Sequence, residues 1–114
     1  FSIRWWGRTN EGLPLPLGGN VIHKRFPPAI RRTVSDVLTA SIQYSLDHRP
    51  AAVQHALQYA RDMGLDLADK FVGMYVNHWT LDYGEKGRES IRRFLGQAAA
   101  RGLIPRQPEL EFVA

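Results

Sequence analysis

Residues 12–20 read GLPLPLGGN, and no other stretch limits the fold of this chain as much. Proline fixes φ and lacks a backbone N–H, so Pro14 and Pro16 cannot sit inside a helix or a central strand. The segment is therefore expected to be an extended, hinge-like crossing. It runs into Val21-Ile22, the apolar part of an expected strand near 16–24, which ends in His23-Lys24-Arg25. Gly18 and Gly19 have no Cβ, so a ligand or another strand can approach the backbone there. The plainer reading of the same residues is a proline-rich loop before a strand.

After this crossing the pattern turns helical. Pro27-Pro28 suits a helix start, because a first-turn proline forfeits no intrahelical bond. Ile30, Val34, Val37, Leu38, Ser41, Ile42 and Leu46 then recur at spacings of three and four, one amphipathic stripe that should stop before Pro50. Val53, Ala56, Leu57 and Ala60 make a second stripe, with Gly64 as its expected C′ residue. Asp66 reads as the N-cap of a third helix carrying Leu67, Phe71, Tyr75 and Trp79. Asp82-Tyr83-Gly84-Glu85 has the spacing of a capping box before a fourth, with Ile91, Phe94, Leu95, Ala98 and Ala99 on its apolar face. Gly102 and Pro105 end it.

The expected helices run near 28–47, 51–63, 67–81 and 85–101. The 114 residues thus form a single segment: crossing and strand over 12–25, a four-helix region over 27–104, and a tail over 105–114. Leu110, Phe112 and Val113 give that tail a weak strand pattern. No run of apolar residues approaches the ~20 needed to span a membrane. The start at Phe1 shows no signal-peptide pattern and no initiator methionine, and the expectation is a piece of a longer protein. The chain has no cysteine, which removes disulfides, thiolate nucleophiles and Cys-ligated zinc and fits a reducing compartment.

Charge is unevenly placed. Residues 1–32 hold six Lys/Arg against one acid, whereas the remainder is close to neutral, so the basic excess belongs to the extended N-terminal part. A patch of this kind attracts an anionic substrate, a phosphate or a nucleic acid. No RNP-like or zinc-finger pattern surrounds Arg4, Arg8, Lys24, Arg25, Arg31 or Arg32, and a nucleic-acid partner is not expected. Arg88, Arg92 and Arg93 make a basic helical stripe that reads as a solvated face.

Catalytic constellations are mostly missing. His23, His48, His55 and His78 form no HExxH pair, and Pro50 interrupts the spacing of His48 and His55, so no metal site is expected. Asp66 and Asp69, and Glu85 and Glu89, each share a helical face, which first-turn electrostatics explains without acid/base chemistry. There is no GxSxG, Walker loop or GxGxxG. Asn77, Thr80 and Asp82 cluster where one helix gives way to the next. Their expected task is to satisfy helix ends through side-chain hydrogen bonds.

Together, Trp5-Trp6, GLPLPLGGNVIHK, and Tyr75-Val76-Asn77 with Thr80, Asp82, Gly84-Glu85 and Gly87 resemble the C-terminal part of the 1,4-dihydroxy-6-naphthoate synthase family. That family belongs to the futalosine route of menaquinone biosynthesis. The resemblance runs from about Trp5 to Pro105, and the pairing of the two motifs is what makes it specific. It implies an α/β fold like that of type II periplasmic binding proteins, here represented by a mostly α-helical C-terminal segment with one or two strands. It implies a lyase step that releases 1,4-dihydroxy-6-naphthoate from cyclic dehypoxanthine futalosine, in the cytoplasm, without metal or organic cofactor. GLPLPLGGN would cross between the two lobes at the edge of the substrate cleft. Pro14, Leu15, Pro16, Gly19 and Asn20 are then the candidate contacts to a small-molecule aromatic carboxylate, an apolar wall with one placed amide.

The chain departs from the family in lacking its N-terminal loop and its central histidine-containing motif. None of the four histidines here sits in a matching motif, so no catalytic residue is assigned and the chain alone is expected to be inactive. The alternative is a non-enzymatic solute-binding or helical interaction module derived from the same fold. Either way, faces carrying Val34, Leu38, Ile42, Phe71, Tyr75, Phe94 and Leu95 should be partly bare, and a homo-oligomer is expected.

Overall fold

Proline placement decides where the longest helices begin. Pro28 occupies the first position of Pro28–Asp47 and Pro50 lies in the first turn of Arg49–Ala56. Between them His48 leaves helical geometry, with φ −120° and ψ 43°, while its N–H still reaches the Tyr44 carbonyl at 2.9 Å. The computed structural model describes residues 3–60 and 62–113. Arg61 of the expected second helix and Ala114 of the expected tail strand lie outside them. In chain order the helices are α1 (Ile3–Thr9), α2 (Pro28–Asp47), α3 (Arg49–Ala56), α4 (Leu65–Tyr75), α5 (His78–Leu81) and α6 (Gly84–Ala100), with a 3-10 turn over Leu57–Tyr59.

The described residues divide into two compact units. The first joins the N-terminal part, to Asn20, with Asp82–Phe112. Helix α1, for which the sequence pattern gave no signal, ends in a Schellman-type turn. Glu11 and Gly12 take left-handed φ of 55° and 76°, and the Gly12 N–H returns to the Gly7 carbonyl at 2.7 Å. Helix α6 closes in the same way. Gly102 (φ 72°) donates to Ala99 at 3.0 Å and Leu103 to Ala98 at 2.9 Å, as the Gly102 stop signal predicts.

The second unit holds α2 to α5. Helix α3 packs on α2 and α4, and α5 packs on α2. Its buried apolar side chains are Val53 and Ala68. Arg49 reaches from α3 to α4, where Nε bonds Asp69 Oδ1 at 2.9 Å and Nη2 bonds the Asp69 carbonyl at 2.8 Å. A Cβ at Gly73 would meet Arg49 Nη2 at 2.6 Å, so the glycine makes room for the guanidinium. Val34, Leu38, Phe71 and Tyr75 are exposed, as is Phe94 in the first unit, while Ile42 and Leu95 are half-buried.

The mainly helical expectation holds, and the 28–47 helix falls where it was expected, but the strands do not form. Among the described residues there is no strand. Residues 13–23 have no regular secondary structure and no ladder of backbone hydrogen bonds to a neighbour, and Val21 is 98% exposed. The tail forms no strand either. Phe112 sets its ring edge-on to Tyr83, with centroids 6.1 Å apart, and lies beneath the guanidinium groups of Arg88 and Arg92. That contact also corrects the reading of Arg88 and Arg92 as merely solvated.

Helix boundaries differ for local reasons. The second helix starts at Arg49, because Pro50 is tolerated in a first turn, and gives way at Ala56 to the 3-10 turn. Asp62 (φ 58°), not Gly64, takes the left-handed conformation, and Gly64 precedes α4 as its N-cap in place of Asp66. The expected 67–81 helix breaks at Val76-Asn77. The Asp82–Glu85 capping box does not close. Gly84 has φ +61°, and Asp82 Oδ1 accepts from its N–H at 3.0 Å instead.

Candidate functional site

The crossing is held at its Pro14 end by side chains of α1 and α6. Positions 87, 90, 94 and 97 recur at spacings of three and four and so share one face of α6. Gly87 and Ser90 on that face are buried. Trp6 of α1 is 2% exposed, and its ring meets Phe94 edge-on at a centroid distance of 5.6 Å. Its indole N–H donates to the Pro14 carbonyl and to Ser90 Oγ, each at 3.1 Å. The Ser90 hydroxyl donates in turn to the same Pro14 carbonyl. A buried indole N–H needs a partner, and a proline carbonyl without competing strand bonds supplies one.

Asn10 extends this anchor. It is 1% exposed, and its Nδ2 donates to the Trp6 carbonyl and to Thr9 Oγ1, each at 3.1 Å. Its Oδ1 accepts from Gln97 Nε2 at 2.9 Å. Closer to the surface, Arg93 bonds Glu89 at 3.1 Å and Glu11 at 3.3 Å. The Glu89 hydrogen bond, opposed by partial desolvation and helped by the Glu11 charge, holds its guanidinium pKa above the ordinary range.

Of the five candidate contact residues, Pro14, Leu15 and Pro16 are half-buried, while Gly19 and Asn20 are exposed. They lie along one segment without regular secondary structure that departs from the anchor at Pro14. The Pro14 carbonyl is already engaged and leaves only its ring for contact. The Asn20 amide has no hydrogen bond among the described residues. Near Gly19 the approach expected at a glycine is made by Tyr83, whose hydroxyl lies 3.2 Å from where a Cβ would stand.

The polar residues of the Tyr75–Gly87 motif take the local part expected of them. Asn77 caps α5, its Oδ1 accepting from the Trp79 N–H at 3.0 Å, while Thr80 Oγ1 accepts from the Asn77 N–H at 3.0 Å. Asn77 Nδ2 and the Thr80 hydroxyl return to carbonyls of the last turn of α4, at Gly73, Met74 and Tyr75. Three of the four paired acids are engaged: Asp69 by Arg49, Glu85 by Arg88, and Glu89 by Arg92 and Arg93. The histidines are held apart in separate local contacts. His23 accepts from the Arg25 N–H, His48 stacks on Tyr44, His55 meets Gln58 and His78 lies beside Trp79. Among the described residues no three His, Asp or Glu side chains gather as a metal site.

The sequence reading missed Trp6, Asn10, Ser90, Gln97 and Tyr83. One signal was available. Gly87 and Ser90 are small residues in register with Phe94 on α6, and a small residue on an apolar face marks where something large packs.

A family model described as menaquinone biosynthesis matches residues 3–100. The chain is 38% identical over 101 residues to a 1,4-dihydroxy-6-naphthoate synthase of Streptomyces coelicolor, covering 88% of this chain and 35% of that protein. It is 31% identical over 109 residues to a protein of the same name from Thermus thermophilus, covering 96% of this chain and 40% of that one. It therefore spans well under half the length of these relatives. No solved structure matches.

Proposed function

Because this chain belongs to the menaquinone biosynthesis family, we propose that it is the C-terminal portion of a lyase that forms 1,4-dihydroxy-6-naphthoate from cyclic dehypoxanthine futalosine. The observation that carries this reading is the match over residues 3–100, which takes in both GLPLPLGGN and the Tyr75–Gly87 motif. The proposed whole is a two-lobed fold of the type II periplasmic-binding-protein kind acting in the cytoplasm. In support of a soluble setting, no helix among the described residues is long and apolar enough to cross a membrane.

In this scheme the crossing is a wall of the cleft. Trp6, Ser90 and Asn10 fix its Pro14 end, and Leu15, Pro16, Gly19 and Asn20 follow along the chain from there. The Asn20 amide offers both a donor and an acceptor to a carboxylate or ring hydroxyl. The unit carrying the crossing contains no histidine, and of its acids Glu11, Asp82, Glu85 and Glu89 pair with arginines. General acid/base chemistry needs a positioned proton carrier; in this scheme another portion of the enzyme supplies it and this portion binds.

The test is turnover. The purified chain is expected to convert no cyclic dehypoxanthine futalosine. In a full-length relative, alanine at the position matching Asn20 should lower kcat/KM. Robust turnover by this chain, or an unchanged kcat/KM in that variant, would refute the assignment of roles. The exposed Val34, Leu38, Phe71 and Tyr75 further support a homo-oligomer for the chain on its own, in which a second copy covers these side chains.

A further inference from the structure

We infer that Tyr83 is a specificity-determining residue of the site, its phenol hydroxyl meeting a polar group of the aromatic carboxylate that lies against Gly19 and Asn20. This inference rests on the reading of the crossing as a substrate-cleft wall and adds to it a partner from α6's leading edge. Tyr83 immediately precedes α6 and is half-buried. Its ring is fixed by the edge-on contact with Phe112. Its hydroxyl stands 3.2 Å from the Cβ position at Gly19, yet it has no hydrogen-bond partner among the described residues.

A phenol hydroxyl both donates and accepts, and one without a protein partner is left to solvent or to a bound group. Neither the Pro14 carbonyl nor a side chain at Gly19 partners it. The Pro14 carbonyl is occupied by Trp6 and Ser90, and the glycine supplies no side chain. Gly19 lets the hydroxyl come this close, since any side chain there would press on the oxygen. An acceptor reaching the hydroxyl from beside Gly19 would find a donor already positioned, with the ring as an apolar surface. A carboxylate is the fitting acceptor, because a hydrogen bond to a charged oxygen is stronger than one to a neutral group.

The experiment titrates this chain with 2-naphthoate and follows the backbone amide resonances of Gly19 and Asn20. The wild-type chain should show saturable shifts at both. Tyr83→Phe keeps the ring and its Phe112 contact but removes the hydroxyl, and should weaken the dissociation constant about five- to tenfold. Gly19→Ala, which crowds the hydroxyl, should weaken it as well. Unchanged resonances for Trp6 and Ser90 in each variant establish that the anchor is intact. Equal affinity of wild type and Tyr83→Phe would overturn the role of Tyr83 while leaving the cleft-wall reading standing. No shift at Gly19 or Asn20 in the wild-type chain would overturn both.

Discussion

The two units of this chain are held together in opposite ways. In the first, side chains far apart in sequence carry the structure. Trp6 bonds Pro14 and Ser90, Asn10 bonds Gln97, and the buried groups are an indole, an amide and a hydroxyl. In the second, many side-chain hydrogen bonds join residues three to five apart, Arg49 to Asp69 spans twenty, and large apolar side chains stay exposed. Polar bonds that must find specific partners fix geometry, whereas apolar faces merely require cover. The first unit is thus specified from within. The second leaves large apolar side chains of α2 and α4 exposed, as the first leaves Ile3, Trp5, Phe94 and Leu103.

The largest expected effect breaks the better-specified unit. Trp6→Ala removes the buried ring, its contact with Phe94 and the donor to Pro14, and should cost about 3–5 kcal/mol. Amide hydrogen exchange should accelerate throughout α1 and α6. If α6 remains as protected as in the wild type, the first unit is not organised around Trp6.

A second substitution tests whether the polar part of this anchor matters in itself. Asn10→Ala leaves the Gln97 amide without its buried partner and removes the cap on the Trp6 carbonyl. About 1–3 kcal/mol should be lost. Urea unfolding followed by Trp fluorescence measures it. A loss below about 0.5 kcal/mol would mean that water replaces these bonds readily and that the two units differ less than their hydrogen bonds imply.

This contrast also explains what could be read from the sequence. Helix α2 was legible because its proline start and its apolar spacing are local signals. The Asn77 and Thr80 assignments were legible for the same reason, since a capping pair acts across three residues. The strand over 16–24 was misread because a proline-rich run ending in Val21-Ile22 describes half of a pairing, and a strand also needs an edge to pair with. Trp6 with Ser90 was invisible, since a bond spanning 84 positions leaves no periodicity. That residues 13–23 form no helix was legible from the prolines. Tyr83 was not, because its nearness to Gly19 depends on how the crossing lies beside the start of α6.

In the second unit the cap is the strongest local device. Asn77→Ala removes the Oδ1 acceptor for the Trp79 N–H and the two bonds back to α4. The expected cost is about 1 kcal/mol, a typical value for a lost N-cap. It should appear as faster exchange in α5 with α1 and α6 unaffected, since the cap lies outside their unit. Equal acceleration in α6 would show that the two units unfold as one.

The smallest change in stability should accompany the clearest change in association. Val37 is 66% exposed on α2, so replacing it removes little burial from the chain itself. Valine and serine have similar helix propensities, so the helix should tolerate the exchange. Val37→Ser is therefore expected to shift unfolding free energy by no more than about 0.5 kcal/mol. If the exposed α2 face is covered by a second copy, the same substitution places a hydroxyl in an apolar contact and weakens self-association. Sedimentation velocity over a concentration series separates the outcomes. A wild-type oligomer that dissociates more readily with Val37→Ser, at unchanged stability, fits a second unit that finds its cover in a partner copy. A wild-type chain that stays monomeric at high concentration removes the homo-oligomer. An oligomer indifferent to Val37→Ser moves its interface away from this position.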